Sequence, residues 1–252
     1  MILGLYGTQL PQNGVVLQQL RNFMSANTFS AKFVQASSQY LSAPDSASLS
    51  ITGDLTIEMW IKPTSLTQPL LEKGVGSTQQ SYSILLDSSG GIEIFLSSNG
   101  SNTGAGTHDE ILGSGFVINQ WQQLAMVYTA ASGKVEIFRN GISIGSSVLF
   151  PTSIFDCTTQ LTLGVNGDIN AFYDGLIDEV RIWSKTKTAQ QIIDQMNIQL
   201  VGNEANLNAY WQLNNALTDL TANGNDFTNH NVVTFVTLVP FGGISGNFLM
   251  FL

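Results

Sequence analysis

Short apolar runs separated by turn residues make up most of the chain between Phe29 and Trp183. The runs are rich in β-branched and aromatic residues, and Gly, Asn, Asp and Ser stand between them, which is typical of short strands. Many short strands with few helices predict an all-β fold, a two-sheet antiparallel jelly-roll sandwich. The predicted strands are Leu55–Ile61, Tyr82–Leu86, Ile92–Ser97, Trp121–Tyr128, Lys134–Arg139, Gln160–Val165 and Leu176–Trp183.

Local signals predict one tight hairpin and one short helix. Asn140-Gly141 tolerates the positive φ of a type I′ turn, so it predicts a hairpin that continues into Ile142–Ile144. The helix is predicted at Ala189–Leu200, after the main sandwich motifs. Thr188 and Gln191 have the spacing of a capping box at its start, and a glycine at position 202 can end it.

Four of the strands carry a glutamate directly before an aliphatic residue, and period-two alternation divides these strands into two faces. The aliphatic face holds Ile57, Met59, Ile92, Ile94, Val135, Ile137, Val180 and Ile182. The opposite face holds Glu58, Trp60, Glu93, Phe95, Glu136, Phe138, Glu179, Arg181 and Trp183. Aromatic rings can stack on sugars while carboxylates accept hydrogen bonds from sugar hydroxyls, so Trp60, Phe95, Phe138 and Trp183 are candidate ligand-binding residues. Self-association, docking of the apolar termini, or burial of the aromatics at sheet edges would use the same residues.

The two ends of the chain differ from this strand pattern. Residues 1–28 are predicted to form an N-terminal arm whose apolar residues could line one face of a short helix. Residues 29–231 form the predicted jelly-roll domain, and residues 232–252 an apolar C-terminal strand and tail. Pro240 and nearby glycines interrupt that tail, so a membrane span is not expected. Both ends would need a surface to pack on, either the sandwich itself or other protein subunits of an assembly.

Composition and charge exclude several classes of protein. With 43% hydrophobic and only 11% charged residues, the chain is not intrinsically disordered. The net charge of −9, from 9 basic and 18 acidic residues, argues against binding to nucleic acid or anionic membranes. The single cysteine, Cys157, makes no internal disulfide. The absence of Lys or Arg before Arg21 and of a long apolar run at the N-terminus predicts that there is no secretory signal.

Several sequence segments resemble the laminin-G-like branch of the concanavalin A-like lectin/glucanase jelly rolls, which is related to the pentraxins. The segments that carry the resemblance are Ser38-Gln-Tyr-Leu41, Gly53-Asp-Leu-Thr-Ile-Glu-Met-Trp-Ile-Lys-Pro63, Trp121-Gln-Gln-Leu-Ala-Met-Val-Tyr128, Lys134-Val-Glu-Ile-Phe-Arg-Asn-Gly141, Asp174-Gly-Leu-Ile-Asp-Glu-Val-Arg-Ile-Trp183 and Leu207-Asn-Ala-Tyr-Trp211. They extend over about residues 29–228. The resemblance implies a two-sheet sandwich, a frequent binding role and in some members a calcium site.

The family resemblance implies one candidate cofactor, which is calcium. Where pentraxin-like members have an acidic ligand loop, this chain has Val165-Asn-Gly-Asp168, so Asn166 and Asp168 are candidate calcium ligands. Calcium prefers six to eight oxygen ligands with several carboxylates, and the second expected loop, Gly74–Ser81, contains no acid. The alternative is a polar turn, and otherwise no cofactor is expected.

Catalysis has little support in the sequence. Glucanases of this fold place carboxylates in a Glu-x-Asp-x-x-Glu pattern on one strand, which is absent here. Asp178 and Glu179 are adjacent, so a regular strand would point them to opposite faces. A hydrolase would have to draw on Glu58, Glu93, Glu136 or Glu179 from separate strands. We therefore expect no enzymatic activity.

Three hypotheses about function follow from these patterns. The first is a non-catalytic recognition or structural module on the surface of a large assembly, such as a virion or a cell-surface assembly, with glycans as candidate ligands. The second is a calcium-assisted glycan-binding lectin. The third, with the least support, is a glycoside hydrolase. Oligomer formation through the apolar termini would belong to the first.

Overall fold

The computed structural model describes residues 27–242, which form two antiparallel β-sheets packed face to face, as predicted for a jelly-roll sandwich. The eight-stranded sheet consists of β1 (Ser30–Phe33), β3 (Leu55–Pro63), β8 (Gln122–Thr129), β9 (Lys134–Arg139), β10 (Ile142–Ser147), β12 (Gly175–Trp183), β13 (Leu207–Trp211) and β15 (Thr234–Val236). The seven-stranded sheet consists of β2 (Tyr40–Ala43), β4 (Gln68–Val75), β5 (Gln79–Leu86), β6 (Ile92–Ser97), β7 (Thr107–Leu112), β11 (Leu161–Leu163) and β14 (Thr228–His230). One short helix, α1 (Ala189–Gln195), follows β12, and single 3₁₀ turns lie at Gln35–Ser37 and Ala130–Ser132.

The strand order is not the sequence order, because the chain crosses repeatedly between the two sheets. The eight-stranded sheet runs β10-β9-β8-β3-β12-β1-β15, with β13 paired to the far half of β12. The seven-stranded sheet runs β14-β2-β11-β4-β5-β6-β7. All of the strand pairs are antiparallel. The predicted hairpin joins β9 to β10, and both Asn140 and Gly141 have the positive φ that a type I′ turn requires.

Four strands of the seven-stranded sheet, β2, β4, β7 and β14, were not predicted as strands, and β4 and β7 show why. β4 contains Pro69 and Gly74, which ordinarily interrupt strands, and its pairing with β5 shifts register beside both of these residues. β7 is an edge strand whose sequence, Thr-His-Asp-Glu-Ile-Leu, is mostly polar. Strands at the edge of a sheet often carry charged side chains. For this reason β7 lacks the apolar residues by which the other strands were predicted.

The interior between the two sheets is aliphatic, as the alternation predicts. All eight residues assigned to the aliphatic face are fully buried in one hydrophobic cluster. Burying such a side chain contributes about 1.5–3 kcal/mol, so this layer supplies most of the stabilisation that a chain without disulfides needs. Cys157 is a buried free thiol whose sulfur lies near the backbone oxygen of Lys73.

A segment that includes α1 covers the outer face of the eight-stranded sheet. Ile192 of α1 is buried against Ala125, Val127 and Phe138 on that face. The capping box at Thr188 and Gln191 is confirmed, with both reciprocal hydrogen bonds present. The helix ends at Gln195 rather than Leu200.

The early end of α1 has a physical reason in the sheet below it. The guanidinium of Arg181 donates hydrogen bonds to the carbonyl oxygens of Gln195 (2.8 Å) and Ile198 (2.5 Å). Trp60 Nε1 donates to the carbonyl oxygen of Met196 at 2.8 Å. These carbonyl oxygens accept hydrogen bonds from side chains of the sheet, so the helix ends before residue 200. Gly202 therefore plays no part in ending it.

One buried ion pair fastens this cover to the sheet, and a second lies within β12 beneath it. Lys187 Nζ lies 2.6 Å from Glu58 Oε1, and Arg181 Nη2 lies 2.7 Å from Glu179 Oε2, with all four side chains at most 2% exposed. Tyr210 donates to Glu179 at 2.7 Å, which adds a third element to the network. Buried charges are tolerated only when they are paired and hydrogen bonded, so the outer face of this sheet is part of a second interior.

A β-bulge at Glu179 overturns one prediction. Glu179 has a φ of 54°, and the register between β12 and β3 shifts between Asp178 and Arg181. The bulge interrupts the alternation, so Asp178 and Glu179 do not point to opposite faces as a regular strand requires. Both are buried, and the pKa of Asp178 rises to about 9, through burial first and the nearby Glu179 carboxylate second.

The C-terminal part of the described chain joins both sheets. β14 extends the seven-stranded sheet, and β15 pairs with β1 at the edge of the eight-stranded sheet. The predicted boundary at residue 231 therefore falls between two strands of the sandwich. The predicted arm helix and the end of the tail, residues 1–26 and 243–252, lie outside the described residues. None of the helices in residues 27–242 is long and apolar enough to span a membrane.

The buried network under α1 makes a prediction about stability. We expect Arg181→Met to lower the free energy of unfolding by about 3 kcal/mol or more, because it leaves Glu179 buried without its cation. Urea denaturation at pH 7 measures the change. Lys134→Met is the control, since the Lys134–Glu136 pair is partly exposed and should contribute less than about 1 kcal/mol. Equal small losses in both variants would contradict this interpretation.

Candidate functional site

The four aromatic candidates do not share one surface. Trp60, Phe138 and Trp183 lie on the outer face of the eight-stranded sheet, where they are 8%, 4% and 1% exposed. The segment around α1 covers them, so they form part of a packed interior and not an open surface for sugar stacking. Phe95 lies on β6, in the seven-stranded sheet on the opposite side of the molecule, and is only half-buried.

The outer face of the seven-stranded sheet has no helix packed on it among the described residues. A row of paired residues crosses this face from β14 to β7, and we call it the polar row. It consists of Thr228, Ser42, Thr162, Glu72, Ser83, Phe95 and Asp109, each the register partner of the next. The central residues Ser42, Thr162, Glu72 and Ser83 are buried, whereas Thr228, Phe95 and Asp109 towards the two edges are exposed or half-buried.

Aromatic side chains stand at both ends of the polar row. Phe95 lies towards the β7 edge. At the other end, Tyr40 stacks on His230 with ring centroids 4.1 Å apart and contacts Phe172 at 6.3 Å. Four strand spacings of about 4.8 Å separate β2 from β6, so the two aromatic ends are about 19 Å apart. This spacing suits an extended ligand that contacts an aromatic ring at each end.

Carboxyl groups near the middle of this face have raised pKa values. Burial raises the pKa of Glu72 to about 7, and the carboxylate of Asp168 adds to the rise. The same residue accepts hydrogen bonds from the Gly167 backbone and the Gln80 side chain, which oppose that rise. At the β6–β7 edge, burial and then the Asp109 carboxylate raise the pKa of Glu93. The Glu72 carboxyl can therefore gain or lose a proton near neutral pH.

A cavity of about 270 Å³ opens beside the polar row. Its lining includes Pro69, Leu85, Glu93 and Ile111, which pair with one another across β4, β5, β6 and β7. Each lies two or three positions along its strand from a residue of the polar row. Asp87 and Gln68 add polar atoms at its rim. The cavity combines an apolar wall with a few polar groups, which is the usual character of a small-molecule site.

The candidate calcium ligands are already engaged. The side-chain oxygen of Asn166 accepts hydrogen bonds from the backbone amides of Asn170 and Ala171, both at 3.0 Å. Asp168 Oδ1 accepts from the Gly76 amide at 3.1 Å. Within residues 27–242, no cluster of three or more His, Cys, Asp or Glu residues could hold a metal. Calcium prefers several carboxylates, and Asn166 and Asp168 supply only one between them, so these two residues by themselves do not fit it.

The four glutamates considered for hydrolysis lie in separate environments. Glu58 and Glu179 are buried in the ion pairs beneath α1, and Glu136 binds Lys134 at 2.7 Å. Glu93 lies on the other sheet and has Asp109 as its carboxyl neighbour. The structure thus gives the predicted glutamates no common site, and only Glu93 remains on an open face.

Most residues of the candidate site were missed by the sequence analysis. Glu72 and Asp109 lie on β4 and β7, the two strands without a strong strand pattern. Tyr40 belongs to the segment Ser38–Leu41 that carries the family resemblance, yet its stacking on His230 joins positions 190 residues apart. A polar edge strand following the turn at Ser97–Gly106 is the one signal that could have indicated Asp109.

Comparison with known proteins identifies the family of the chain. The family model described as the concanavalin A-like lectin/glucanases superfamily matches residues 35–193. No curated protein matches the chain.

Solved structures with a similar fold include three that cover most of the chain. A Bacteroides ovatus protein provisionally described as carbohydrate binding has 17% identity and a TM-score of 0.59, and the match covers 84% of this chain but only 60% of that one. The heptameric SAP-like pentraxin of Limulus polyphemus has 14% identity and a TM-score of 0.57, with 85% and 97% covered. The CBM40 domain of a Ruminococcus gnavus IT-sialidase, bound to α2,3-sialyllactose, has 13% identity and a TM-score of 0.52, with 68% and 98% covered. At these identities the likeness establishes the fold alone.

The raised pKa of Glu72 predicts a pH-dependent stability. A folded-state pKa of about 7 against an ordinary 4.5 means that the protonated carboxyl stabilises the fold at low pH. That contribution, about 3 kcal/mol, is lost as the pH rises from 4.5 through 7. Urea denaturation at pH 4 and pH 8 should show a smaller decrease for Glu72→Gln than for the wild type. Equal decreases would show that Glu72 titrates normally.

The engaged oxygens at Asn166 and Asp168 predict that calcium does not bind there. Millimolar calcium should leave the melting temperature unchanged, whereas a resident site would raise it by mass action. Asp168→Asn serves as the matched control in the same thermal shift measurement. A rise in the wild type that is absent from Asp168→Asn would establish the calcium-assisted lectin instead.

Proposed function

This chain belongs to the concanavalin A-like lectin/glucanase superfamily, and we propose that it is a non-catalytic carbohydrate-binding domain. The site that we propose is the outer face of the seven-stranded sheet, from Phe95 to the stacked pair of Tyr40 and His230. The observation that carries the proposal is the polar row, a line of hydroxyl and carboxyl groups with an aromatic ring at each end. The row is buried at its centre and is exposed or half-buried at Thr228, Phe95 and Asp109.

The chemistry of this face suits a sugar chain. Aromatic rings stack against the apolar faces of sugars, while carboxylates and hydroxyls hydrogen bond to sugar hydroxyls, and charged acceptors form the stronger bonds. Phe95 supplies a half-buried ring, and Glu93 and Asp109 supply carboxyl groups beside it. Two of the structural neighbours with this fold are described as carbohydrate binding or as bound to sialyllactose, which supports the same class of ligand.

The absence of catalysis is part of the proposal. Glu93 and Asp109 are neighbouring carboxyls at the β6–β7 edge of this face, and both have raised pKa values. They hydrogen bond directly to each other, which leaves no room between them for the anomeric carbon that a retaining glycosidase holds between two carboxyls. We therefore assign this pair to ligand binding.

The wider role on a virion or cell-surface assembly stays a prediction. It rests mainly on residues 1–28 and 232–252, most of which lie outside the described residues. One observation favours contacts with other protein subunits: Ile142, Val148 and Leu149 are 69%, 65% and 66% exposed on or beside the edge strand β10. An exposed apolar edge of this kind is typical of a protein-binding surface.

A single substitution tests the carbohydrate site. We expect Phe95→Ala to weaken binding to any glycan that the wild type captures by at least about tenfold, which corresponds to ~1.4 kcal/mol from the lost aromatic contact. A glycan array identifies the ligand, and isothermal titration calorimetry measures its affinity.

The matched control for this test is Ile142→Ala, which removes an exposed apolar side chain from the other sheet. It should bind the glycan with wild-type affinity, and circular dichroism should show that both variants fold. An affinity that is unchanged in Phe95→Ala would place the site elsewhere. Hydrolysis of a captured glycan that disappears in Glu93→Gln would establish an enzyme.

A further inference from the structure

Two lysines differ from every other basic residue in the described part of the chain. Residues 27–242 contain eight Lys and Arg side chains, and six of them have an ion pair or a hydrogen bond to a carbonyl or amide oxygen. The six are Lys73, Lys134, Arg139, Arg181, Lys185 and Lys187. Within these residues, the ammonium groups of Lys32 and Lys62 have no such partner.

The register brings these two lysines to the same place. Lys32 on β1 and Lys62 on β3 both pair with Leu176 of β12, which lies between them. Ala31 and Ile61, their neighbours along the strands, are fully buried in the core, so both lysines point to the outer face of the eight-stranded sheet. Two strand spacings of about 4.8 Å place them about 10 Å apart, within reach of one small ligand.

The two lysines line a cavity with a volume of about 520 Å³. Its apolar wall is formed by Phe33, Leu176, Val236 and Leu238. Thr64 and Asn119 add neutral polar groups at the rim. The volume lies within the range of about 300–1,000 Å³ that is usual for small-molecule sites.

One carboxylate also lines this cavity, but its oxygens are engaged. Asp174 Oδ1 accepts a hydrogen bond from the Gln35 amide at 3.2 Å, and Oδ2 accepts one from the hydroxyl of Thr64. Two lysines against one aspartate leave the cavity with a net positive charge of +1. The whole chain carries −9, so this is a local exception to an acidic surface.

From this geometry we infer a second binding site, specific for a sugar that carries a carboxylate. The ammonium groups of Lys32 and Lys62 bind the carboxylate, and Leu176 between them packs against the apolar face of the ring. The choice of a sugar over other organic acids rests on the proposed function, whereas the anion site itself does not. The site is separate from the polar row, because it lies on the opposite sheet.

The test compares Lys32→Gln/Lys62→Gln with a control that changes the net charge equally, Lys134→Gln/Lys185→Gln. The probes are glucuronic acid, galacturonic acid and N-acetylneuraminic acid, with glucose as the neutral probe and acetate as the simple anion. Ligand-observed NMR at low salt measures binding. We expect the wild type to bind at least one acidic sugar, and the Lys32/Lys62 variant to bind it at least about tenfold more weakly, because charge-assisted bonds are lost.

The control variant and Phe95→Ala should retain that binding within about twofold. No binding of any acidic sugar by the wild type, or equal binding by the Lys32/Lys62 variant, would overturn the proposal. Acetate bound as tightly as the acidic sugar would overturn the assignment to a sugar. Acidic-sugar binding that needs the lysines, in a protein that captures no glycan through Phe95, would leave this site standing while the proposed function of the polar row fails.

Discussion

The aliphatic layer between the two sheets is the constraint on which the rest of this structure depends. Each inward Ile, Val, Leu or Met places its neighbours on the outside of the sandwich, because successive side chains of a strand point to opposite faces. With no disulfide among the described residues, this layer must hold the fold together. It also determines which residues can bind a ligand or a covering segment, because the residues that alternate with the buried ones face outward.

The outer faces of the two sheets differ in what packs on them. On the eight-stranded sheet, the outward residues are large or charged, and the segment around α1 covers them. The Glu58–Lys187 ion pair and the hydrogen bonds from Arg181 to backbone carbonyls hold that segment in place. Much of the eight-stranded sheet is therefore buried on both faces. The bulge at Glu179 belongs to this arrangement, because it brings that carboxylate to Arg181 and Tyr210.

On the seven-stranded sheet, the outward residues are small or polar and no helix among the described residues covers them. The polar row and its aromatic ends are the result, and they support the proposed carbohydrate site. The cavity beside Lys32 and Lys62 lies at the uncovered part of the other sheet, beyond the end of the α1 segment. The ends of the polar row and the lysine cavity are thus places where the outer layer is incomplete, so the covering of the sheets determines where a ligand could bind.

The sequence by itself determined the all-β class, the strands β6 and β9, the hairpin at Asn140-Gly141, the helix start at Thr188 and the division of the strands into aliphatic and mixed faces. These features depend on local spacing, which the chain carries without reference to distant residues. The tertiary structure alone decided that Trp60, Phe138 and Trp183 are covered while Phe95 is open, because that depends on where a segment more than a hundred residues beyond Trp60 packs. It alone brought Tyr40 to His230 and Lys32 to Lys62, since pairing across strands from distant parts of the chain leaves no periodic trace in the sequence.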